Sequence, residues 1–300
     1  MLISLIIPHY NRFELLQRCL SGLRQQSSGD FEILLVDDGS DQAPPAWLQD
    51  WIRHWPRLRW LPLARNSGRA AARNTGLEAA RGELVIFLDC DMAVQSDFVA
   101  AHRRFHLQRG ASWIGQGRII GTQDPDAWPL PSIWTDASRA HFATGNVSVE
   151  RTILLRLGGF DPAFSAYGFE DLELGFRLAG AGWHSAAVAD AESWHYEPLP
   201  TAPDWERDLA KERERGRGAA LFYRKHPCLE VRLLAQLTPL HPLLDQLPRL
   251  GGLISDARWL SWIEALQQRH PKLALALYRG LLNRYCVQAT RAALARPDSD

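Results

Sequence analysis

The sequence predicts an α/β protein built on a doubly wound sheet and followed by a mainly helical C-terminal extension. Four short apolar runs, at Leu2–Ile7, Phe31–Val36, Leu58–Leu63 and Leu84–Leu88, are rich in Ile, Leu and Val and bounded by Pro, Asp or Gly, as buried parallel strands are. Helix-period segments alternate with them, and the right-handed crossover rule turns such a βαβ series into a doubly wound sheet. Beyond Pro203 the chain becomes strongly charged, in DWERDLAKERERGRGAALFYRKHP, and then amphipathic to its end with no strand pattern.

Taken in order, Leu2–Ile7 leads into the loop Pro8-His9-Tyr10-Asn11, after which Leu15, Leu16, Cys19, Leu20 and Leu23 follow one helical face. Phe31–Val36 runs into Asp37-Asp38-Gly39-Ser40. Leu58–Leu63 precedes an Ala-rich helix over Gly68 to Ala80 that Gly82 ends, and Leu84–Leu88 runs into Asp89-Cys90-Asp91. Ligands of open α/β sheets sit beyond the carboxyl ends of the strands, so these three polar loops mark the expected site. From about Ser112, segments rich in Pro, Trp and Gly, including DPDAWPLPSIW, predict loops and short strands covering the open edge of the sheet. Asn146 to Leu157 reads as a strand and a short helix, and Gly158-Gly159-Phe160-Asp161 as a turn. YGFEDLELGFRLAGAGW reads as a helix in which Leu172, Phe176 and Ala179 share one face, ended by the Gly180 to Gly182 region.

Composition narrows the function. Of 300 residues 46% are hydrophobic, ample for a core. Lys+Arg and Asp+Glu are both 34, so no global field draws the chain to nucleic acid or an anionic membrane, and any anion must be met locally. The scattered cysteines (Cys19, Cys90, Cys228, Cys286) form no CxxC pair, which argues against a zinc cluster or disulfide framework and for a reducing compartment. MLISLIIPHYN reads as a strand rather than a signal peptide, and no apolar run approaches the roughly 18 residues of a membrane span. A soluble, cytoplasmic protein is expected, with peripheral attachment to a membrane left open.

The acidic loops carry the chemistry. Two carboxylates at the end of a buried strand repel one another and lose solvation, and a cation relieves both costs. Asp89 and Asp91, two apart, share one face if the strand continues; oxygen ligands with few thiolates or imidazoles favour Mg²⁺ or Mn²⁺, ions that commonly bridge a carboxylate and a substrate diphosphate. An acidic turn at a strand end is the plain alternative. Asp38 is placed to accept from a nucleobase N–H or a ribose hydroxyl, or else belongs to an ordinary Asp-Gly turn. Tyr10 adds an aromatic face for a base and Pro8 stiffens that loop, while Arg69 and Arg73, one turn apart, could reach a diphosphate or simply be solvated. Glu170 and Asp171 fall at a helix N-terminus that favours ionised carboxylates. A cap needs one of them, and a carboxylate that takes a proton from an attacking hydroxyl is what inverting substitution at an acetal carbon requires. His195, in SWHYEP, could complete a metal shell or be structural. Among the twelve tryptophans Trp134, Trp183 and Trp194 are candidates for stacking on a ligand ring, most of the twelve being expected in the core or at an interface. Arg217, Arg224 and Lys225 could close over donor phosphates, touch an anionic lipid surface, or line a solvated helical face.

SLIIPHYNR, ILLVDDGSD, NSGRAAARNTGLEAARGELVIFLDCDM, FATGNVSVER, GGFDPAFSAYGFEDLELGFRLAGAGW and WHYEP, in this order, resemble the family 2 glycosyltransferases with a GT-A fold, over about residues 1–200. GFEDLELGFRL is also similar to the acceptor-side motif of β-1,4-galactosyltransferases and chondroitin-type polymerases. The resemblance implies a Rossmann-like mixed sheet in a domain of residues 1–203, with a nucleotide-sugar-binding half at 1–111, an acceptor-binding half at 112–203, and a helical extension at 204–300. It further implies inverting transfer from a nucleotide diphosphate sugar, a UDP-sugar by preference, to a glycan or lipid-linked glycan, as in bacterial surface polysaccharide assembly. Pro8, Tyr10, Asn11 and Asp38 would surround base and ribose, with Arg69 and Arg73 on the nucleotide side. Asp89 would touch ribose and metal, Asp91 and His195 would hold Mn²⁺ or Mg²⁺, Asp171 would be the base and Glu170 would bind the acceptor. The resemblance transfers no role to His9. Two rivals stand: a non-catalytic nucleotide- or sugar-binding scaffold, against which both acidic pairs speak, and a haloacid-dehalogenase-like phosphatase, whose Asp-x-Asp loop normally opens the fold instead of following three βα units.

Overall fold

The structure, a computed structural model, describes residues 1–124, 126–130, 141–165, 167–197, 204–238 and 255–295. Two compact units are present, Met1–Ser165 with Glu170–Pro198, and Ala166–Phe169 with Leu199–Asp300.

The first unit is built around one sheet, β1 (Ile3–His9), β2 (Phe31–Asp37), β3 (Leu58–Pro62), β4 (Leu84–Leu88), β5 (Met92–Val94), β6 (Trp113–Thr122), β7 (Asn146–Glu150) and β8 (His184–Tyr196). Its spatial order is β3-β2-β1-β4-β7-β6-β8-β5 among the described residues. β1 lies parallel to β2 and β4, and β2 to β3; β4 and β6 run antiparallel to β7, β6 is parallel to β8, and β5 is antiparallel to β8. The helices are α1 (Phe13–Arg24), α2 (Ala46–His54), α3 (Arg69–Ala79), α4 (Phe98–Arg109), α5 (Arg151–Arg156) and α6 (Glu170–Gly180).

Alternate residues of each central strand enter opposite cores. Leu5, Ile7, Ile33, Leu35, Ile86 and Leu88 pack with Leu16, Leu20 and Leu23 of α1 and Phe98 of α4. Ile6, Leu34, Val36, Val85 and Phe87 pack on the other side with Leu77 of α3, Ile153 and Leu154 of α5, and Leu174 and Leu178 of α6. The strands of the N-terminal half therefore fall where the apolar runs predict, with one difference. Among the described residues β3 pairs only with β2, at the edge of the sheet, and it is half-exposed over much of its length.

Two further expectations are corrected. The segment after Ser112, expected as loops and short strands at an open edge, contains the ten-residue β6, which lies inside the sheet between β7 and β8. Glycines disguise it: Gly115 and Gly117 interrupt the strand formers of WIGQGRIIGT because β6 there approaches its neighbours too closely for side chains. A Cβ on Gly117 would lie 2.1 Å from Asn146 Oδ1, and one on Gly115 would lie 2.5 Å from Ser148 Oγ. In α6 the shared face of Leu172 and Phe176 is half-exposed and Ala179 is exposed; Leu174, Gly175 and Leu178 supply the core face, with Glu170 and Glu173 buried beside them.

A polar network is sealed under β7. His102 meets Ser148 Oγ at 2.8 Å and Asn146 Oδ1 at 2.9 Å, His106 meets Ser148 Oγ at 2.8 Å, and Asn146 Nδ2 donates to Ala191 O and Ser193 Oγ. Burial pulls His102 down to about 3 and His106 to about 4, so both rings are neutral at physiological pH.

The second unit is helical: α7 (Asp204–Lys225), α8 (Leu229–Leu234), α9 (Asp256–Gln267) and α10 (Pro271–Ala295). Ile263, Ala274, Tyr278, Leu281 and Leu282 form its core with Trp205 and Trp259 packed against them. A Cβ on Gly216 would lie 2.4 Å from Cys286 O, so this glycine lets α7 and α10 touch through their backbones. Residues 166–169 cluster with this unit, not with the sheet on either side of them in sequence. Among the described residues no helix is long and apolar enough to cross a membrane.

Candidate active site

The carboxyl ends of β1, β2 and β4 hold the predicted residues. β1 continues to His9, so Pro8 is a buried strand residue paired with Val36 and offers no loop surface to a base. His9 is 2% exposed between Phe13 and Trp60, with neither ring nitrogen hydrogen-bonded, and burial pulls it down to about 4. Tyr10 is exposed at the loop tip, its hydroxyl donating to Asp41 at 3.1 Å. Asn11 adopts φ 56° and laces this loop to the next, exchanging hydrogen bonds with Asp41 and donating its backbone N–H to Ser40 Oγ. Asp38 turns to the loop before α3, accepting from the backbone N–H groups of Ser67 at 2.7 Å and Gly68 at 3.0 Å. Burial raises its pKa and these two bonds oppose the rise.

At the end of β4 the two aspartates part company. Asp91 Oδ2 accepts from Arg12 Nη1 at 2.7 Å and pairs with His195 Nε2 at 3.5 Å, while Glu197 Oε1 meets His195 Nδ1 at 3.1 Å. Burial opposes ionisation of Asp91, but His195, Arg12 and Arg69 outweigh it and hold the carboxyl down at about 2. Burial likewise opposes the charge on His195, and Asp91 and Glu197 lift it to about 10. Asp89 turns the other way, accepting from Arg73 Nη2 at 3.0 Å.

Arg73 is the unexpected element. Expected beside Arg69 at a diphosphate, it is 1% exposed, whereas Arg69 is exposed at the head of α3. Its second amino group, Nη1, donates to Glu170 Oε1 at 2.9 Å. Glu170, expected to bind an acceptor, is itself only 3% exposed, and its Oε2 has no hydrogen-bond partner. The adjoining Asp171 is half-buried and accepts from the N–H of Leu172 at 2.8 Å. Burial first, and the charge of Glu170 second, push it up to about 7, with Arg73 opposing. A group poised there accepts a proton readily near neutrality.

The remaining predicted groups sort as follows. Trp183 and Trp194 are buried, and Trp194 Nε1 donates to Pro129 O, so neither presents a face to a sugar; Trp134 lies outside the described residues. Arg12 and Glu197 were not singled out from the sequence. Arg12 adjoins the polar loop in SLIIPHYNR, and Glu197 follows His195 by two residues along the chain, in WHYEP.

The donor set suits a hard divalent cation. Asp91 Oδ1 is buried without a hydrogen-bond partner and is free to ligate, while Oδ2 is held by Arg12 and by His195, whose ring must give up its proton to serve as a second ligand. Among the described residues no three His, Cys, Asp or Glu side chains already converge as a shell, since Asp89 is engaged by Arg73.

The sheet, with one acidic pair just after β4 and a second opening α6, has the GT-A fold of the solved structures it resembles. The chain belongs to glycosyl transferase family 2, which it matches over residues 4–173. It is 29% identical over 279 residues to the validoxylamine A glucosyltransferase of Streptomyces hygroscopicus subsp. jinggangensis (strain 5008), covering 79% of this chain and 64% of that protein. It is 27% identical over 255 residues to the chondroitin synthase of Escherichia coli, covering 70% of this chain and 37% of that one. The chain thus spans less than two thirds of the length of these relatives. In fold it is similar to the mannosyltransferase PcManGT from Pyrobaculum calidifontis, solved with GDP-Man and Mn²⁺, at a TM-score of 0.64 and 18% identity over 99% of this chain and 88% of that one.

Proposed function

We propose that this glycosyltransferase moves a sugar from a nucleotide diphosphate donor to a hydroxyl of a glycan or glycolipid acceptor, with inversion at the anomeric carbon. The observation that supports the reading is that Asp89, after β4, and Glu170, next to Asp171 in the first turn of α6, meet on one guanidinium, that of Arg73. Tyr10 stacks on the base. The Asp38 carboxylate holds the loop of Ser67 and Gly68, which carries Arg69 at the head of α3 toward the diphosphate. Asp91 and His195, with Asp89 beside them, would hold Mn²⁺ or Mg²⁺, which would supply charge neutralisation for the departing diphosphate. Asp171 takes the proton of the acceptor hydroxyl as it attacks from the face opposite the leaving group, so no covalent enzyme intermediate is required. A surface glycan under assembly is the acceptor proposed, by analogy with a glycan-building relative, the chondroitin synthase.

Calorimetry with UDP, GDP and their sugars, in Mn²⁺ or in EDTA, tests the reading on the wild type and Asp91→Ala. One diphosphate nucleotide is expected to bind in Mn²⁺ alone, and Asp91→Ala to weaken it at least about 30-fold, the cost of roughly 2 kcal/mol for an anchoring charged contact. Equal binding in EDTA, or no binding of any nucleotide, overturns it.

A further inference from the structure

We propose that Arg73 is a positioning residue that couples the donor side of the site to the acceptor side, so that occupancy at Asp89 is felt at the start of α6. The proposal rests on the transferase reading above and deepens it.

Arg73 belongs to the buried face of α3, with Ala70, Ala72, Gly76 and Leu77, and no solvent screens its charge. Its fork is divided between two segments remote in sequence: Nη2 grips Asp89 on the turn after β4, and Nη1 grips Glu170 in the first turn of α6. Asp171 adds a third carboxyl facing the same cation. The guanidinium carbon lies 5.6 Å from the centre of the Phe160 ring, and the neighbouring Asn74 exchanges hydrogen bonds of 2.7 and 2.8 Å with the Phe160 backbone. The helix that carries the cation is therefore tied to the Phe160 backbone, and the two carboxylates reach it from separate segments.

Stability does not account for this arrangement. A buried ion pair costs about as much desolvation as it returns in attraction, and an apolar replacement of similar volume is often as stable. Two atoms also remain without hydrogen bonds, Arg73 Nε and Glu170 Oε2, a further cost that a purely structural brace would have no reason to carry. A planar fork is what a coupling device needs, because it holds two carboxylates at fixed angles and registers a change at one as a change in its hold on the other. When Asp89 is drawn toward a donor and its counter-ion, Arg73 keeps Glu170 as its full partner, and the turn that presents Asp171 tightens.

The test is amide hydrogen exchange on the full chain, with and without the nucleotide found by calorimetry plus Mn²⁺, in the wild type, Arg73→Lys, Arg73→Gln, Glu170→Gln and the Arg73→Gln/Glu170→Gln pair. In the wild type, nucleotide is expected to slow exchange over residues 170–174 by about tenfold, within the usual range of site-to-site coupling. Arg73→Gln is expected to bind nucleotide and protect the turn after β4 while losing that slowing at α6, and Arg73→Lys to retain part of it. Glu170→Gln alone should lose as much as the double variant, because both residues belong to one unit. If Arg73→Gln does not fold, Arg73→Lys carries the comparison, since it keeps the charge and loses only the fork. Slowing at α6 that survives undiminished in Arg73→Gln, or in Arg73→Lys where Arg73→Gln does not fold, overturns the coupling while leaving the transferase reading intact. A wild type that binds no nucleotide overturns the transferase reading and the coupling with it.

Discussion

At the scale of the residue, Asp171 shows how position moves a common side chain into the range that a general base requires. Its carboxyl is held at about 7 by burial and by the adjacent Glu170, against an ordinary value of 3.8. Only the ionised form can accept a proton, so turnover should fall as pH drops through about 7, and a pH profile of the rate checks this. Asp171→Asn should lower turnover by about 10²–10⁴-fold, the usual worth of a general base, with nucleotide affinity unchanged. The same shift has a cost in stability. Because the folded carboxyl binds its proton more tightly than the unfolded one, folding is favoured at low pH and loses that contribution as pH rises toward and through the folded value. Asp171→Asn should therefore melt higher than the wild type at pH 8 and alike at pH 4. A variant that melts lower at pH 8 would show that the ionised carboxylate is held by contacts rather than crowded by them.

At the scale of the element, the legible and illegible parts differ in what their side chains meet. β1, β2 and β4 are read from the sequence because both faces are buried against apolar helices, leaving continuous Ile, Leu and Val. β6 is not, because its closest neighbours are the polar side chains of Asn146 and Ser148, for which glycine makes room. The sequence reads Arg73 as a diphosphate contact or a solvated arginine, although Ala70, Gly76 and Leu77 mark the same helical face as buried, because its carboxylate partners come from segments far away in sequence. The stripe in α6 misled for the same reason: buried Glu170 and Glu173 are paired with Arg73 and Arg177, and no propensity scale anticipates a buried charge. Gly117→Ala tests the close approach. Its methyl would strike an Asn146 amide wedged between His102, Ala191 and Ser193, so a loss of about 2–3 kcal/mol is expected in urea denaturation, typical of overpacking. A loss within about 0.5 kcal/mol, the range of ordinary surface changes, would mean the strands separate easily.

At the scale of the whole molecule, the helical extension was legible as a class from its charge and periodicity, but its share in residues 166–169 was not. Those residues sit within an otherwise continuous motif, and nothing in YGFEDLELGF marks a change of unit. Gly168 takes φ 90° and Phe169 φ 74°, a conformation a phenylalanine adopts only under constraint, at a cost on the order of 1 kcal/mol. The constraint lies in the second unit, where the Phe169 ring packs against Phe222 at 6.2 Å and Arg215 lies over it at 6.0 Å. Gly218 completes it, since a Cβ there would come within 2.7 Å of Gly168 O, a backbone atom that must then move. The next residue along the chain is Glu170. A displacement of Gly168 and Phe169 is therefore carried through the peptide into the first turn of α6, and misplacement of a base by about 1 Å can cost on the order of 100-fold in rate. Gly218→Ala should lower turnover at least about tenfold on that ground, with the Kd for the nucleotide unchanged, because no donor-side residue is touched. Steady-state rates and calorimetry on the same preparation decide it: an unchanged rate would show that α6 holds its first turn without the second unit, and a weakened Kd would show that the disturbance spreads beyond it.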